Sequence, residues 1–303
     1  MGGFLRAIVE PGFFASAPVH VAAAAGGVVA VVSAILGVFT VMRGQSYAGH
    51  AFADISVTGG SASFLLGISP LWGFAGTSVL AAAIMDMIGI RRPRGRDLAT
   101  GIVRGAGLGL AALFLYWDTT HTSASGATIT VLFGSMFTIS GSIVPVIAGF
   151  SLVALGVVVV LYRPLLLSTV SADLAFARGI PVRLAGVACL AAVAVAVSLA
   201  AMTIGAILST ALLVGPAAAA LRLTSRPGLA IAWSAGIGLA ATWLGILLAY
   251  DSYYWPPARR GWPVSFFVVV LIFAAYLAAQ AVGTRRGHGR RVAVAATMPG
   301  HGG

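Results

Sequence analysis

The chain has 303 residues, 59% of them hydrophobic and 8% charged, with a mean hydropathy of +1.02; no ordinary water-soluble domain matches this, so it reads as a polytopic membrane protein. Its formal charge of +11 is carried entirely by arginine, with no lysine, which excludes a self-contained GxxxxGK[ST] ATPase whose lysine must reach the β- and γ-phosphates. The arginines fall in short clusters between apolar stretches, where positive-inside topology puts them, and this sets nucleic-acid binding aside.

At the start, Glu10 and Pro11 interrupt the apolar run, so the first hydrophobic segment is expected to stay in the protein rather than act as a signal peptide. About 20 apolar residues cross a bilayer as a helix. That rule predicts spans at 18–42, 46–69, 71–90, 98–117, 141–162, 183–203, 204–222, 228–250 and 264–283, an all-α transmembrane bundle of about nine helices. Placing Arg43 and the clusters at 91–96, 163–183, 222–226 and 285–291 in the cytoplasm puts the N-terminus outside and the C-terminus inside. Residues 1–283 form one membrane domain, and the Gly- and Arg-rich tail at 284–303 is expected to be disordered. Segment 127–140 is apolar but too short to cross, which predicts a partial or re-entrant helix lodged in protein. Loops at 118–126 and 251–263 are expected outside. The single Cys189 excludes an internal disulfide and a CxxC metal site.

His50 and Asp54 lie four residues apart inside the second span, on one helix face. Ionisable groups within a bilayer face a bundle interior or a water-filled path. An imidazole beside a carboxylate suits a divalent transition ion; it also suits a proton relay, or a polar pair joining two helices. With the second helix leaving the cytoplasmic surface near Gly44, Asp54 lies about 15 Å deep, close to the midplane where transport pathways place their ligands. Arg104, in the fourth span, is expected to snorkel to the cytoplasmic interface.

Outside the spans, Asp118 and His121 form a DxxH pair in the expected outer loop, readable as solvated polar residues or as metal ligands. Asp251, Tyr253, Tyr254, Trp255 and Trp262 read as an interfacial aromatic belt or a docking surface. Asp86 is expected to pair with Arg91 or Arg92. Segment 171–182, SADLAFARGIPV, predicts a short cytoplasmic helix ended by Gly-Ile-Pro, either a capped loop or a lever between two spans. No GxSxG elbow or HExxH helix supports an intramembrane enzyme.

The stretches GVFTVMRGQSYAGHAFADISVTGG (37–60), ATGIVRGAGLG (99–109), LFGS (132–135), ADLAFARGIPV (172–182) and TIGAILSTALLVGPAAAALRL (203–223), in this order, resemble the membrane permease subunit of bacterial metal-ion ABC importers. The family usually carries Asp and then His in a pattern like GDAxSHA; here His50 precedes Asp54, so the ligand set is kept with its order exchanged. The resemblance implies a multi-pass protein of the cytoplasmic membrane that moves manganese, zinc or iron, with no resident cofactor. A bare ion, a metal chelate and a proton-coupled secondary transporter remain alternatives. Its implied partners are a second copy of itself, an ABC ATPase subunit that binds the ATP, and an extracytoplasmic solute-binding protein. Two copies would bring two His50 and two Asp54 to one site. Coupling to the ATPase would fall to Asp173, Phe176, Arg178 and Gly179, although Ser-Ala-Asp at 171–173 stands where the family usually has DPxxA.

Overall fold

The computed structural model describes residues 13–87, 93–121, 130–134, 136–255 and 261–297, without the side chains at 93–97, 99, 121, 170, 172, 173 and 283–297. Its α-helices are α1 (Ala17–Met42), α2 (Ser46–Leu66), α3 (Pro70–Met87), α4 (Pro93–His121), α5 (Val144–Val170), α6 (Ala172–Ala177), α7 (Val182–Ile204), α8 (Ala206–Leu223), α9 (Pro227–Ser252) and α10 (Val264–Thr297). Eight helices among the described residues are long and apolar enough to cross a membrane. The remaining long helix, α2, has 21 residues and is not among them. Its sequence, SYAGHAFADISVTGGSASFLL, is small and polar rather than greasy, and it is packed among α3, α4, α7 and α8. A helix too polar for lipid is thus sheltered by protein, which is the condition that admits polar groups at membrane depth.

Small side chains make that enclosure tight. Gly59 of α2 and Gly73 of α3 face each other so closely that a Cβ on either would run into the other's backbone carbonyl, the small-residue contact that replaces the hydrophobic effect between membrane helices. The α2–α3 turn ends in Gly67 at φ +66, with Gly67 N–H donating to Phe64 O and Ile68 N–H to Ser63 O, before Pro70 opens α3. On the far side, Ser234 of α9 donates to Ala34 O of α1 at 2.8 Å. Large side chains fill two clusters. One gathers Val29, Ile147, Ile204 and Ile246; the other gathers Leu36, Phe39, Phe52, Met85, Leu165 and Leu213 around the lower part of α2.

Of segment 127–140 the described residues form a helical turn at 130–133, Gly134 at φ +83, and a 3-10 turn at Met136–Thr138. Val131 and Met136 are buried, so the segment sits in protein. Gly134 lies against the α7–α8 junction, where Gly205 has φ +103. A Cβ on Gly134 would meet Ile204 C and Thr203 O at 2.5 Å, and one on Gly205 would meet the backbone of 132–134. The glycines of LFGS and TIGA therefore bring two backbones into contact while turning the chain. Helices α7 and α8 fold back on each other there. Gly186 near the start of α7 lies beside Arg43, and Ala217 near the end of α8 lies beside Gly37, so both helices reach the last turns of α1.

Three boundaries differ from the sequence expectation. Helix α4 runs to His121, so 118–121 is helical and not loop. Helix α5 continues through Pro164 to Val170, because the ring is accommodated within the long apolar helix. The described backbone of α10 extends to Thr297, past the point where the sequence predicts the tail to begin. Gly205→Ala should destabilise the protein by at least about 2 kcal/mol, since a glycine-only backbone conformation and a backbone contact are both lost. The check is the melting temperature of the solubilised protein against Gly149→Ala, where no atom lies within 4 Å of the added methyl and little change is expected.

Candidate functional site

Helices α2 and α4 pack along each other, and their depth determines who meets whom. At 1.5 Å per residue, Asp54 lies about 12 Å past Ser46 and Arg104 about 16 Å past Pro93. The two helices begin on the same side, so the two charges stand nearly level. Arg104 Nε donates to Asp54 Oδ2 at 2.5 Å, and Arg104 Nη2 reaches His50 Nε2 at 3.1 Å. The expectation that Arg104 snorkels to the interface is therefore wrong. A carboxylate one helix away is a better partner at membrane depth than a long reach to water.

The donor inventory fixes the imidazole. A guanidinium can only donate, so His50 Nε2 must present its lone pair, and the ring proton must sit on Nδ1. His50 Nδ1 then donates to Thr210 Oγ1 of α8 at 3.0 Å. The Nε2 lone pair and Asp54 Oδ2 lie 3.7 Å apart, and both face the one guanidinium. Tyr47, one turn below His50, places its ring 6.0 Å from Arg104 Cζ, a distance at which a cation is attracted to the aromatic face. Just above, Thr58 donates to Gly107 O at 2.7 Å and Gly107 packs on Ile55, so the α2–α4 seam is closed there.

Chemically, the pair His50 and Asp54 offers one nitrogen and one oxygen converging on a point occupied by a positive charge. Among the described residues of one chain, no group of three or more His, Cys, Asp or Glu could hold a metal ion.

A profile described as the ABC 3 transport family matches residues 17–281. The chain belongs to the ABC 3 transport family. It is a multi-pass bacterial membrane protein and a transport permease rather than a catalytic subunit. This ABC 3 chain is 27% identical over 226 residues to the manganese transport system membrane protein MntC of Halalkalibacterium halodurans, covering 74% of this chain and 76% of that one. It is 28% identical over 223 residues to the manganese import system permease protein ScaB of Streptococcus pneumoniae, covering 74% and 78%. A solved structure, PsaBC from Streptococcus pneumoniae in complex with Fab, superposes with a TM-score of 0.75 at 24% identity, covering 88% of this chain and 92% of that one; this likeness shows the fold.

The other candidate residues of the ABC 3 chain fall elsewhere. Asp118 is buried near the end of α4, at 1% exposure, and so is not a solvated loop residue; the side chain of His121 lies outside the described residues. Asp86 pairs with Arg183 Nη2 at 3.1 Å rather than with Arg91 or Arg92, because α3 packs on α7 and brings the start of α7 beside the end of α3. Arg183 is 75% exposed, so the pair contributes little. Tyr250, Tyr253, Tyr254 and Trp262 line a cavity of about 420 Å³ between the ends of α1, α9 and α10. Asp251 is buried beside it. Segment 171–182 contains the short helix α6, capped by Ser171 Oγ accepting from Leu174 N–H at 3.2 Å and closed by Gly179 at φ +74.

Sequence reasoning missed Arg104, Thr210 and Tyr47 as members of the site. For Arg104 the signal was present: an arginine deep in an apolar span needs a partner by the same argument that singled out Asp54. Thr210 carried none, since a threonine in an apolar helix ordinarily bonds its own preceding turn. Nitrogen NMR of histidine-labelled protein should show His50 as the Nδ1–H tautomer, assigned by loss of its signals in His50→Gln. Thr210→Val should leave that tautomer in place while Arg104 donates to Nε2, and Arg104→Ala should abolish the preference.

Proposed function

We propose that this chain is the permease subunit of an ABC importer for a divalent transition-metal ion, manganese before zinc or iron, across the bacterial cytoplasmic membrane. The observation that carries the reading is the approach of His50 Nε2 and Asp54 Oδ2 to 3.7 Å on one face of α2, a helix too polar for lipid and enclosed by protein. The manganese transport names of the relatives support that choice of cargo. His50 keeps a side-chain exposure of 38% while Asp54 has 14%, so the imidazole can meet a second copy. Two copies acting together supply two nitrogens and two oxygens, a set suited to a first-row ion. Weak, transient binding fits transport, because an ion held too tightly cannot leave.

Energy would come from a separate ATPase subunit, and cargo from an extracytoplasmic solute-binding protein. Helix α6 is suited to receive the ATPase stroke. It is short, bonded at both ends, and set between the long helices α5 and α7. Phe176 is 79% exposed while the adjacent Ala175 is fully buried, so an apolar knob stands on a firmly seated turn. Arg178 caps the helix and Gly179 turns the chain behind it; Asp173 belongs to the same turn. A partner that grips Phe176 can move α5 and α7 as a unit. Asp118, buried near the opposite end of α4, is not placed for first contact with incoming metal.

The test is ATP-dependent uptake of manganese, zinc and iron by the complete reconstituted transporter. His50→Ala and Asp54→Ala should each lower uptake at least tenfold with ATP hydrolysis retained. Uptake without the ATPase subunit, or normal uptake by both variants, would overturn the reading. Phe176→Asp should lose uptake and also release ATP hydrolysis from control by the binding protein, which the site variants should not.

A further inference from the structure

We infer that Arg104 is a tethered competitor for the transported ion: its guanidinium holds the place on Asp54 and His50 that the metal takes, and the ion enters only when α4 draws it away. The inference rests on the reading of His50 and Asp54 as the ion's ligands. Three observations lead to it. The guanidinium engages Asp54 Oδ2 and His50 Nε2 together, so it contacts both atoms that would bind a metal. The imidazole is fixed from behind by Thr210, so the ligand pair is oriented whether arginine or metal stands before it. Helix α4, which bears Arg104, has the smallest buried share of the eight candidate spans, and packs mainly on α2; it is the wall of the site with the fewest ties to the rest of the bundle.

The electrostatic consequence is direct. With Arg104 in place, the single carboxylate of the site is already neutralised, and a divalent cation approaching it meets a fixed positive charge. Withdrawal of the arginine uncovers a carboxylate and a lone pair at once. Its return puts a cation back onto both ligands and displaces the ion. One side chain thereby keeps the empty pathway electrically closed and promotes release, without any change in the ligands themselves. The Gly107 contact and the Thr58 bond lie just above the pair, so a tilt of α4 about that closed point moves Arg104 relative to Asp54.

The experiment uses the complete transporter in nanodiscs without ATP, with manganese(II) alone as the probe, and reads binding from loss of the free-ion EPR signal. Arg104→Ala should bind manganese at least tenfold more tightly than wild type, and Arg104→Lys, which keeps a cation, should stay within about threefold of it. Millimolar methylguanidinium should weaken binding to Arg104→Ala and leave wild type unchanged, an effect that a merely structural arginine would not produce. Should Arg104→Ala fail to assemble, Arg104→Gln carries the same expectation of tighter binding. Equal or weaker manganese binding in the neutral variant overturns the inference while leaving the ligand assignment intact, provided His50→Ala and Asp54→Ala still lose uptake. If Arg104→Ala gains affinity but Asp54→Asn in the same chain does not remove the gain, the ion is bound elsewhere, and the ligand assignment falls with the inference.

Discussion

A charge at membrane depth must find its opposite, and in this protein Asp54 and Arg104 meet that requirement for each other. Leaving either alone near the bilayer midplane costs on the order of 3 kcal/mol or more, so the helices that carry them have to lie side by side at matching depth. That pairing fixes α4 against α2, and the shelter it needs accounts for much of the surrounding architecture. Helix α2 is ringed by α3, α4, α7 and α8. Gly59 and Gly73 let α3 close on one side, and Gly49 lets Leu213 of α8 close on another. The same approach of α8 delivers Thr210 to the imidazole.

The cluster is thus built from one helix that brings an imidazole and a carboxylate, one that brings a cation and one that orients a ring. Its chemistry is set by donor and acceptor rules more than by distance. Arginine has no acceptor, so its presence determines which nitrogen of His50 is bare, and Thr210 takes the proton on the other side. Exchange of the order in which His and Asp occur along α2 leaves both on one helix face, with His50 Nε2 and Asp54 Oδ2 3.7 Å apart.

At the other end of the molecule the constraint is mechanical. The α7–α8 turn at Gly205 is packed against Gly134 backbone to backbone, which joins the broken segment after α4 to the hairpin that carries Thr210. Helix α6 joins α5 to α7 with a bonded cap at each end. Helix α6 is thus linked through α7 and its hairpin to Thr210 by continuous packing, while α4 packs mainly on α2.

By itself the sequence determined the membrane setting, the order of the long helices, the broken segment at 127–140, the short helix after α5, the family and the pair His50 and Asp54. These features are local: apolar length, turn glycines and i, i+4 spacing act within one segment and are read directly from it. Only the tertiary structure decided the partners. Arg104 was assigned to water because its own helix offers it no carboxylate, and Asp86 was given a neighbour in sequence instead of Arg183 across the α3–α7 contact. Asp118 was placed in a loop although α4 carries it into a buried position, and Thr210 had no sign of its role. Each error has one cause: pairing between helices depends on which faces and depths are brought together, and that register is set by small-residue packing and buried charge across the whole bundle.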